Sequence, residues 1–444
     1  MSNTPEKRGT SRREFLRTAA LSAAATVAAT EVAKSSVYSL APSRVLGAND
    51  RILLAHVGVG GQGMAHVGLT KRESAKNNTE SIAVCDIYVR RLRNAQRELG
   101  LKDSQAFQDY RKLLENKDIN AVFIATSDNW HAQIALDAMN LGKHVYIEKP
   151  MCKTLEETFA LYDTVKKTKR ILQVGSQGCS DPRWHVAGKM VREGKIGKVV
   201  MAQGSYCRNG RIGEWNYYHI DKDAGPNATG DAYVDWQTFR KGVGPEEWDP
   251  DRYFRWRKYY AYGNGIVGDL FPHRLHPLMI AMDLPLEGTA GYPTRVASLG
   301  GIYVQKINPE TGKKDREVPD FTNIIIDFAE ECSLMLLGST INEQGWEDMI
   351  RGNKATIYLG GDSVEVKPER VWADEVEPAS EQAPGGEPIE RHQKNFFDCI
   401  RTNATPNCGI ELAARVQTMI TLGDLAYQQG KTMHFDPKTR KAWG

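Results

Sequence analysis

With 444 residues, 41% hydrophobic and 25% charged, the chain has the make-up of an ordinary soluble globular protein, long enough for two domains. A formal net charge of +3 leaves no electrostatic case for nucleic acid. Seven scattered cysteines (Cys85, Cys152, Cys179, Cys207, Cys332, Cys399, Cys408) with no C-x-x-C pair argue against a disulfide framework and against a zinc site, though one disulfide stays open.

Residues 1–45 read as targeting and linker rather than fold. Ser11-Arg12-Arg13-Glu14-Phe15-Leu16-Arg17 precedes a weakly apolar run at 18–29, and basic flank, apolar centre and small residues describe an export signal. The paired arginines followed by Phe-Leu look like a twin-arginine signal, which would place the protein in the periplasm. A disordered basic tail is the alternative. The apolar run is too short and too alanine-rich for a stable span, so no transmembrane span is expected after processing, while anchoring by an uncleaved signal stays open.

Residues 51–57 read as a strand. It runs into Gly58-Val59-Gly60-Gly61-Gln62-Gly63, a G-x-G-x-x-G turn, and a helical pattern follows at 64–71. Gly58 permits the tight turn, Gly60 lets a pyrophosphate approach the backbone, and Gly63 lets helix pack on strand. The helix N-terminus, with Gly61 and Gln62, supplies N–H groups for phosphates. Residues 81–86 form a second strand ending in Asp86, 23 residues beyond Gly63, near the spacing of a carboxylate that bonds a ribose 2′-hydroxyl. A carboxylate there repels a 2′-phosphate, which favours NAD over NADP; Arg90 and Arg91 follow closely and keep NADP in view. Asp86 as a helix N-cap is the alternative.

Helical patterns at 91–100 and 110–115 precede a fourth apolar run, 121–126. It ends in Ser127-Asp128-Asn129-Trp130-His131, with a helix expected at 132–141. His131 opens that helix at the cofactor edge, as a cap or a solvated side chain. Gly142-Lys143-His144-Val145-Tyr146-Ile147-Glu148-Lys149-Pro150 then reads as a buried strand stopped by proline. This leaves Lys149 at the carboxyl end of a parallel strand, where open α/β sheets bind ligands. A surface Glu148–Lys149 pair is the bland reading. Strand–helix alternation through residue 147 gives a doubly wound parallel sheet, a Rossmann fold.

These motifs together resemble the Gfo/Idh/MocA family, which includes glucose–fructose oxidoreductase and inositol dehydrogenase. The glycine loop, Asp86, the Thr126…His131 loop and the Gly-Lys-His-Val…Glu-Lys-Pro run carry the resemblance, over roughly residues 50–440. Thr126-Ser127 stands where many members have Thr-Pro, and the exported subset looks most similar. The resemblance implies an NAD(P)-binding domain at 46–175. It also implies a substrate and oligomerisation domain at 176–444, with a large, mostly antiparallel open sheet bearing helices on one face. On it, Thr126, Trp130, His131, Glu148 and Lys149 would meet the cofactor. Gln177, His276 and Trp256 would meet the substrate.

Downstream, helices are expected at 155–167 and 183–193, with a strand at 171–177 between them and another starting at 197–200. Residues 204–263 are irregular and hold four of nine tryptophans and eight of seventeen tyrosines. Aromatic faces beside Arg208, Asn209 and Arg211 suit a polyol or pyranose; a self-packed loop or subunit interface fits as well. Asp269, His273 and His276 then recur at helical spacing, interrupted by Pro272 and Pro277. Alone, they could be a structural aspartate and a core histidine. In the family, a glycine-rich turn followed by Asp-x-x-x-His carries catalysis. Strands are expected at 296–301, 321–328, 331–338 and 355–359, an acidic loop at 364–388, and helices at 390–402 and 410–428.

The resemblance implies hydride transfer between a carbinol carbon of a sugar, polyol or glycoside and nicotinamide C4. His273 would take the hydroxyl proton, Lys149 would bond the same oxygen, Asp269 would orient the pair and Glu148 would support the loop. A periplasmic enzyme would keep its NAD bound and regenerate it in place. Two further readings remain. One is an NAD-dependent glycoside hydrolase using transient sugar oxidation. The other is a sugar-binding relative without catalysis, against which the joint presence of Lys149, Asp269 and His273 argues. A homo-oligomer is expected through the second sheet.

Overall fold

A computed structural model describes residues 50–444; the expected signal lies outside them. Two sheets organise the chain. The first holds six parallel strands: β1 (Ile52–Val57), β2 (Thr79–Cys85), β3 (Ala106–Phe107), β4 (Ala121–Ile124), β5 (His144–Ile147) and β6 (Leu172–Val174). Their order is β3-β2-β1-β4-β5-β6, so the chain reverses direction across the sheet between β1 and β4. In such sheets that crevice, at the carboxyl ends of the strands, is where ligands bind. β4 is buried at every residue, as a strand covered on both faces should be.

One of those covers comes from the far end of the chain. Phe396, Phe397 and Cys399, on the helix Ile389–Thr402, pack against Ile52, Leu54, Ala121, Phe123 and Tyr146. Helices at the other crossovers start earlier than the apolar periodicity indicates. One runs Gly61–Arg72 and another Asp128–Asn140. The first turn of each is polar, which hides it from a hydrophobic pattern.

The second sheet has ten strands: β7 (Val199–Cys207), β8 (Pro293–Gly301), β9 (Phe321–Phe328), β10 (Ser333–Ser339), β11 (Met349–Gly352), β12 (Ala355–Gly360), β13 (Ser363–Pro368), β14 (Ala379–Gln382), β15 (Met433–Asp436) and β16 (Lys441–Trp443). Their order is β14-β13-β12-β11-β7-β10-β9-β8-β15-β16. Every pair is antiparallel except β7 with β10. The expected loop at 364–388 therefore holds an edge strand, β14, and most of β13. Val364 and Val366 point inward there while Glu365 and Lys367 point out, an alternation too short to stand out among the acidic residues.

The helix Ile410–Gln429 packs on this sheet, bringing Gly423 against Ile324, Val267 and Val296. Leu299 is 73% exposed and Ile325 42% exposed on the opposite face. All seven cysteines are free thiols. No helix among the described residues is long and apolar enough to cross a membrane.

Candidate active site

The glycine loop is fixed by close contact. Gly58 has a φ of +80°, and a Cβ there would lie 2.7 Å from the Ala125 carbonyl oxygen. A Cβ on Gly63 would lie 1.9 Å from the Gly58 carbonyl oxygen, so only glycine lets the helix start this close to the turn. Gly61, by contrast, faces open space. The helix Gly61–Arg72 has no side-chain cap, so its first N–H groups are available to an anion.

A cavity of about 300 Å³ runs along this loop, lined by Gly60, Gln62, Asp86, Thr126, Trp130 and Trp256 among others. Asp86 is buried, and its carboxylate accepts from the Val59 N–H at 2.8 Å and the Tyr88 N–H at 2.9 Å. Burial raises its pKa, against the pull of Arg91. It does not cap the following helix Val89–Leu99, whose N-cap is Tyr88. Its oxygens tie the second strand to the glycine loop.

Several expected contacts turn out to join loops to one another. His131 lies within the helix rather than opening it. Its Nδ1 is 2.8 Å from the Pro150 carbonyl oxygen and its Nε2 3.2 Å from that of Thr126, so the ring bridges the loops after β4 and β5. Trp130 lines the cavity and donates its Nε1–H to the Thr238 and Phe239 carbonyls at 3.0 and 3.1 Å. Glu148 turns towards the glycine-loop helix, accepting from Gln62 at 3.1 Å and pairing with His66 at 2.7 Å. Burial acts to raise its pKa, but the His66 bond prevails and holds it at about 2. His66 in turn meets Gln393 at 2.8 Å.

Lys149, Asp269 and His273 do come together. The Lys149 ammonium donates to the Asp269 carbonyl and to Oδ1, each at 2.7 Å. Asp269 ends the short helix Gly265–Asp269, and His273 lies in the first turn of the next, Pro272–Ala281. Asp269 also accepts from Arg257 at 3.1 Å and from the Trp215 indole at 3.0 Å. Burial alone would raise its pKa; Lys149 and Arg257 hold it well below the usual carboxylate range.

His273 is 8% exposed, and its Nδ1 has no hydrogen-bond partner. Its ring stacks on Tyr206 with centroids 4.8 Å apart. Burial, assisted by Lys149, lowers its pKa to about 3, so the imidazole is neutral at physiological pH. His276 is held elsewhere: its Nδ1 is 3.0 Å from the Pro272 carbonyl oxygen, and burial lowers its pKa to about 4. Gln177 heads the 3-10 turn Gln177–Ser180, away from the cavity lining. Trp256 lines the cofactor-side cavity, with the Arg257 guanidinium 4.2 Å from its ring centroid.

Sequence reasoning missed Arg257, Trp215, Tyr206 and Asp128. Asp128 is buried, and its carboxyl accepts no hydrogen bond from any described residue; burial pushes its pKa up to about 8, against Arg257. The crowding of aromatics at 204–263 pointed to the right region without naming side chains. Most of those rings pack on each other: Trp236 stacks on Phe239 at 5.4 Å and meets Trp248 edge-on at 5.2 Å. Arg208 does lie near the pair, donating to the Tyr206 hydroxyl and to Glu214 at 3.1 Å each. Arg211 is exposed, and Asn209 only bridges to Ile341. No group of three or more His, Cys, Asp or Glu residues that could hold a metal occurs among the described residues.

Comparison with known proteins agrees with this architecture. Residues 52–176 match the Gfo/Idh/MocA model, described as oxidoreductase family, NAD-binding Rossmann fold. A relative from Bacteroides fragilis (strain YCH46), glycosyl hydrolase family 109 protein 1, is 34% identical over 203 residues, covering 43% of this chain and 42% of that one. The chain thus spans less than half the length of that curated relative. Among solved structures, levoglucosan dehydrogenase in complex with NADH and L-sorbose matches with a TM-score of 0.64 at 18% identity, over 86% of this chain and 98% of that one. The WlbA dehydrogenase from Bordetella pertussis, in complex with NADH and UDP-GlcNAcA, matches at 0.61 and 15% identity, over 87% and 99%.

Proposed function

We propose that the protein is an NAD-dependent oxidoreductase acting on a carbinol carbon of a sugar, polyol or glycoside. The carrying observation is a neutral, buried His273 with an unpartnered Nδ1, set beside the Lys149–Asp269 pair at the carboxyl edge of a sheet that bears a glycine loop. The residues fit a dinucleotide. The space beside Gly61 is open, the uncapped helix offers N–H groups, and the cavity runs from the loop to Trp256. Bound nicotinamide would supply hydride acceptance and return.

The protein's own part is proton handling and positioning. The His273 imidazole accepts the proton of the substrate hydroxyl as the carbinol carbon is oxidised, and returns it in reduction. Lys149 stabilises negative charge on the same oxygen. Asp269, bonded by Lys149, Arg257 and Trp215, stays ionised and orients the lysine. Glu148 fixes the loop through Gln62 and His66 rather than touching substrate. Asp86 favours NAD over NADP, because its buried carboxylate would repel a 2′-phosphate.

A second reading rests on the glycosyl hydrolase name of the Bacteroides relative: cleavage of a glycoside by transient oxidation and re-reduction, with no net redox change. Lys149→Ala and His273→Ala should each lower the rate at least about 10²-fold with cofactor still bound, as expected for loss of a positioned acid–base group. Near-normal turnover in both variants would remove these residues from the mechanism. Release of chromophore from an aryl glycoside would select the cleavage reading.

A further inference from the structure

The cavity beside the glycine loop is roofed by the aromatic segment 204–263. Thr238, Phe239, Tyr253, Phe254 and Trp256 line it opposite Gly60 and Gln62. This segment is stitched to both loops that flank the cavity. On one flank, Arg90 pairs with Asp221 and, at 3.1 Å, with Asp231. The Tyr88 hydroxyl donates to Asp221 at 2.5 Å, and the Val89 N–H to the Tyr233 carbonyl at 3.1 Å. On the other flank, Trp130 donates to Thr238 and Phe239, and the Lys241 ammonium donates to the Asn129 carbonyl at 3.0 Å.

Arg91 sits inside this seam. Its guanidinium lies over the rings of Tyr88, Tyr253 and Phe254, at 5.6, 5.4 and 5.5 Å from their centroids. Its Nη1 is 3.2 Å from the position a Cβ on Gly60 would take. Gly60 is the glycine whose bareness lets a pyrophosphate reach the backbone. Unlike Arg90, Arg91 donates no hydrogen bond to any described residue. Its carboxylate neighbour, Asp86, already accepts from two backbone N–H groups. A guanidinium carries five donors in a planar fork. Arg91 is only part-buried and lines the cavity, so its fork is placed to meet an anion that enters there.

We propose that Arg91 is the phosphate-binding side chain of this cleft. It takes the charge of the dinucleotide pyrophosphate over Gly60, and the stitched aromatic roof holds the cofactor there between turnovers. This rests on the dinucleotide reading above. The roof belongs to the second half of the chain, so cofactor retention is built into the substrate-side segment as well as into the glycine loop.

The full chain is loaded with NADH, freed of excess nucleotide and chased with ADP-ribose, while energy transfer from tryptophan to the reduced nicotinamide is followed. Arg91→Ala should release NADH about 10- to 100-fold faster than wild type, the range for losing a charged hydrogen bond. Arg91→Lys, which keeps the charge and most of the packing, should fall between. Asp221→Asn, which loosens the roof by weakening its contacts with Arg90 and Tyr88, should also speed release. Equilibrium affinities for NAD and NADP should fall by the same factor in Arg91→Ala. A loss confined to NADP would put Arg91 on the 2′-phosphate and overturn the pyrophosphate assignment. Wild-type release from Arg91→Ala and Asp221→Asn would overturn the retention role. Failure of wild type to bind either dinucleotide would instead overturn the reading on which the proposal rests.

Discussion

At the residue scale, the site separates its groups by protonation. His273 is kept neutral by burial and Lys149, and Asp269 is kept ionised by Lys149 and Arg257. A neutral base and a fixed cation beside one another are what alcohol oxidation requires. Asp128 is the odd member, with a pKa raised from 3.8 to about 8 by burial. Between those values the folded chain keeps a proton that the unfolded chain has lost. The stability this contributes is complete below about pH 3.8 and is lost as pH rises through about 8. Asp128→Asn removes the titration, so its melting temperature should gain on wild type more at about pH 8 than at about pH 5. An equal difference at both pH values would show that Asp128 is ionised throughout. The four site residues missed in sequence were invisible for a physical reason. Trp215 meets Asp269 across 54 positions and carries a polar atom only at one ring edge, so nothing local marks it.

At the element scale, legibility followed whether an element's signal was local. The glycine turn and the strand ending in Glu148-Lys149-Pro150 are short patterns, and each lies at a strand end as read; Asp269 and His273, read at helical spacing, fall on two successive helices. The edge strand β14, its neighbour β13, the short β11 and the terminal hairpin β15–β16 have little apolar periodicity and were not read. The aromatic segment was read as a surface with two meanings, and packing favours the self-packed one. The open face of the second sheet is a clearer surface. Leu299 pairs with Asn323 and Ala297 with Ile325, and the row continues to Met335 and Leu337 on β10. We propose that a second copy of the chain covers this row, where Leu299 and Ile325 otherwise stand exposed to water. Leu299→Asp should shift the mass by light scattering from dimer or larger towards monomer. A wild type that is already monomeric, or a variant with unchanged mass, would contradict the proposal.

At the scale of the whole molecule, the site is assembled from both halves of the chain. The glycine loop comes from the first sheet, His273 and Arg257 from the second half, and the helix Ile389–Thr402 returns to brace the first sheet and to hold His66 through Gln393. The central claim is that this assembly binds a nicotinamide dinucleotide and uses it on a carbohydrate carbinol. The most direct measurement is mass spectrometry of the nucleotide released on denaturation. It should be combined with that of the products, after the purified protein is incubated with a panel of polyols, pyranoses and aryl glycosides. The account predicts NAD or NADH from the protein and at least one panel member oxidised or cleaved; His273→Ala should keep the nucleotide and lower turnover at least about 10²-fold. A protein that yields and binds no dinucleotide, and returns every panel member unchanged, would contradict it.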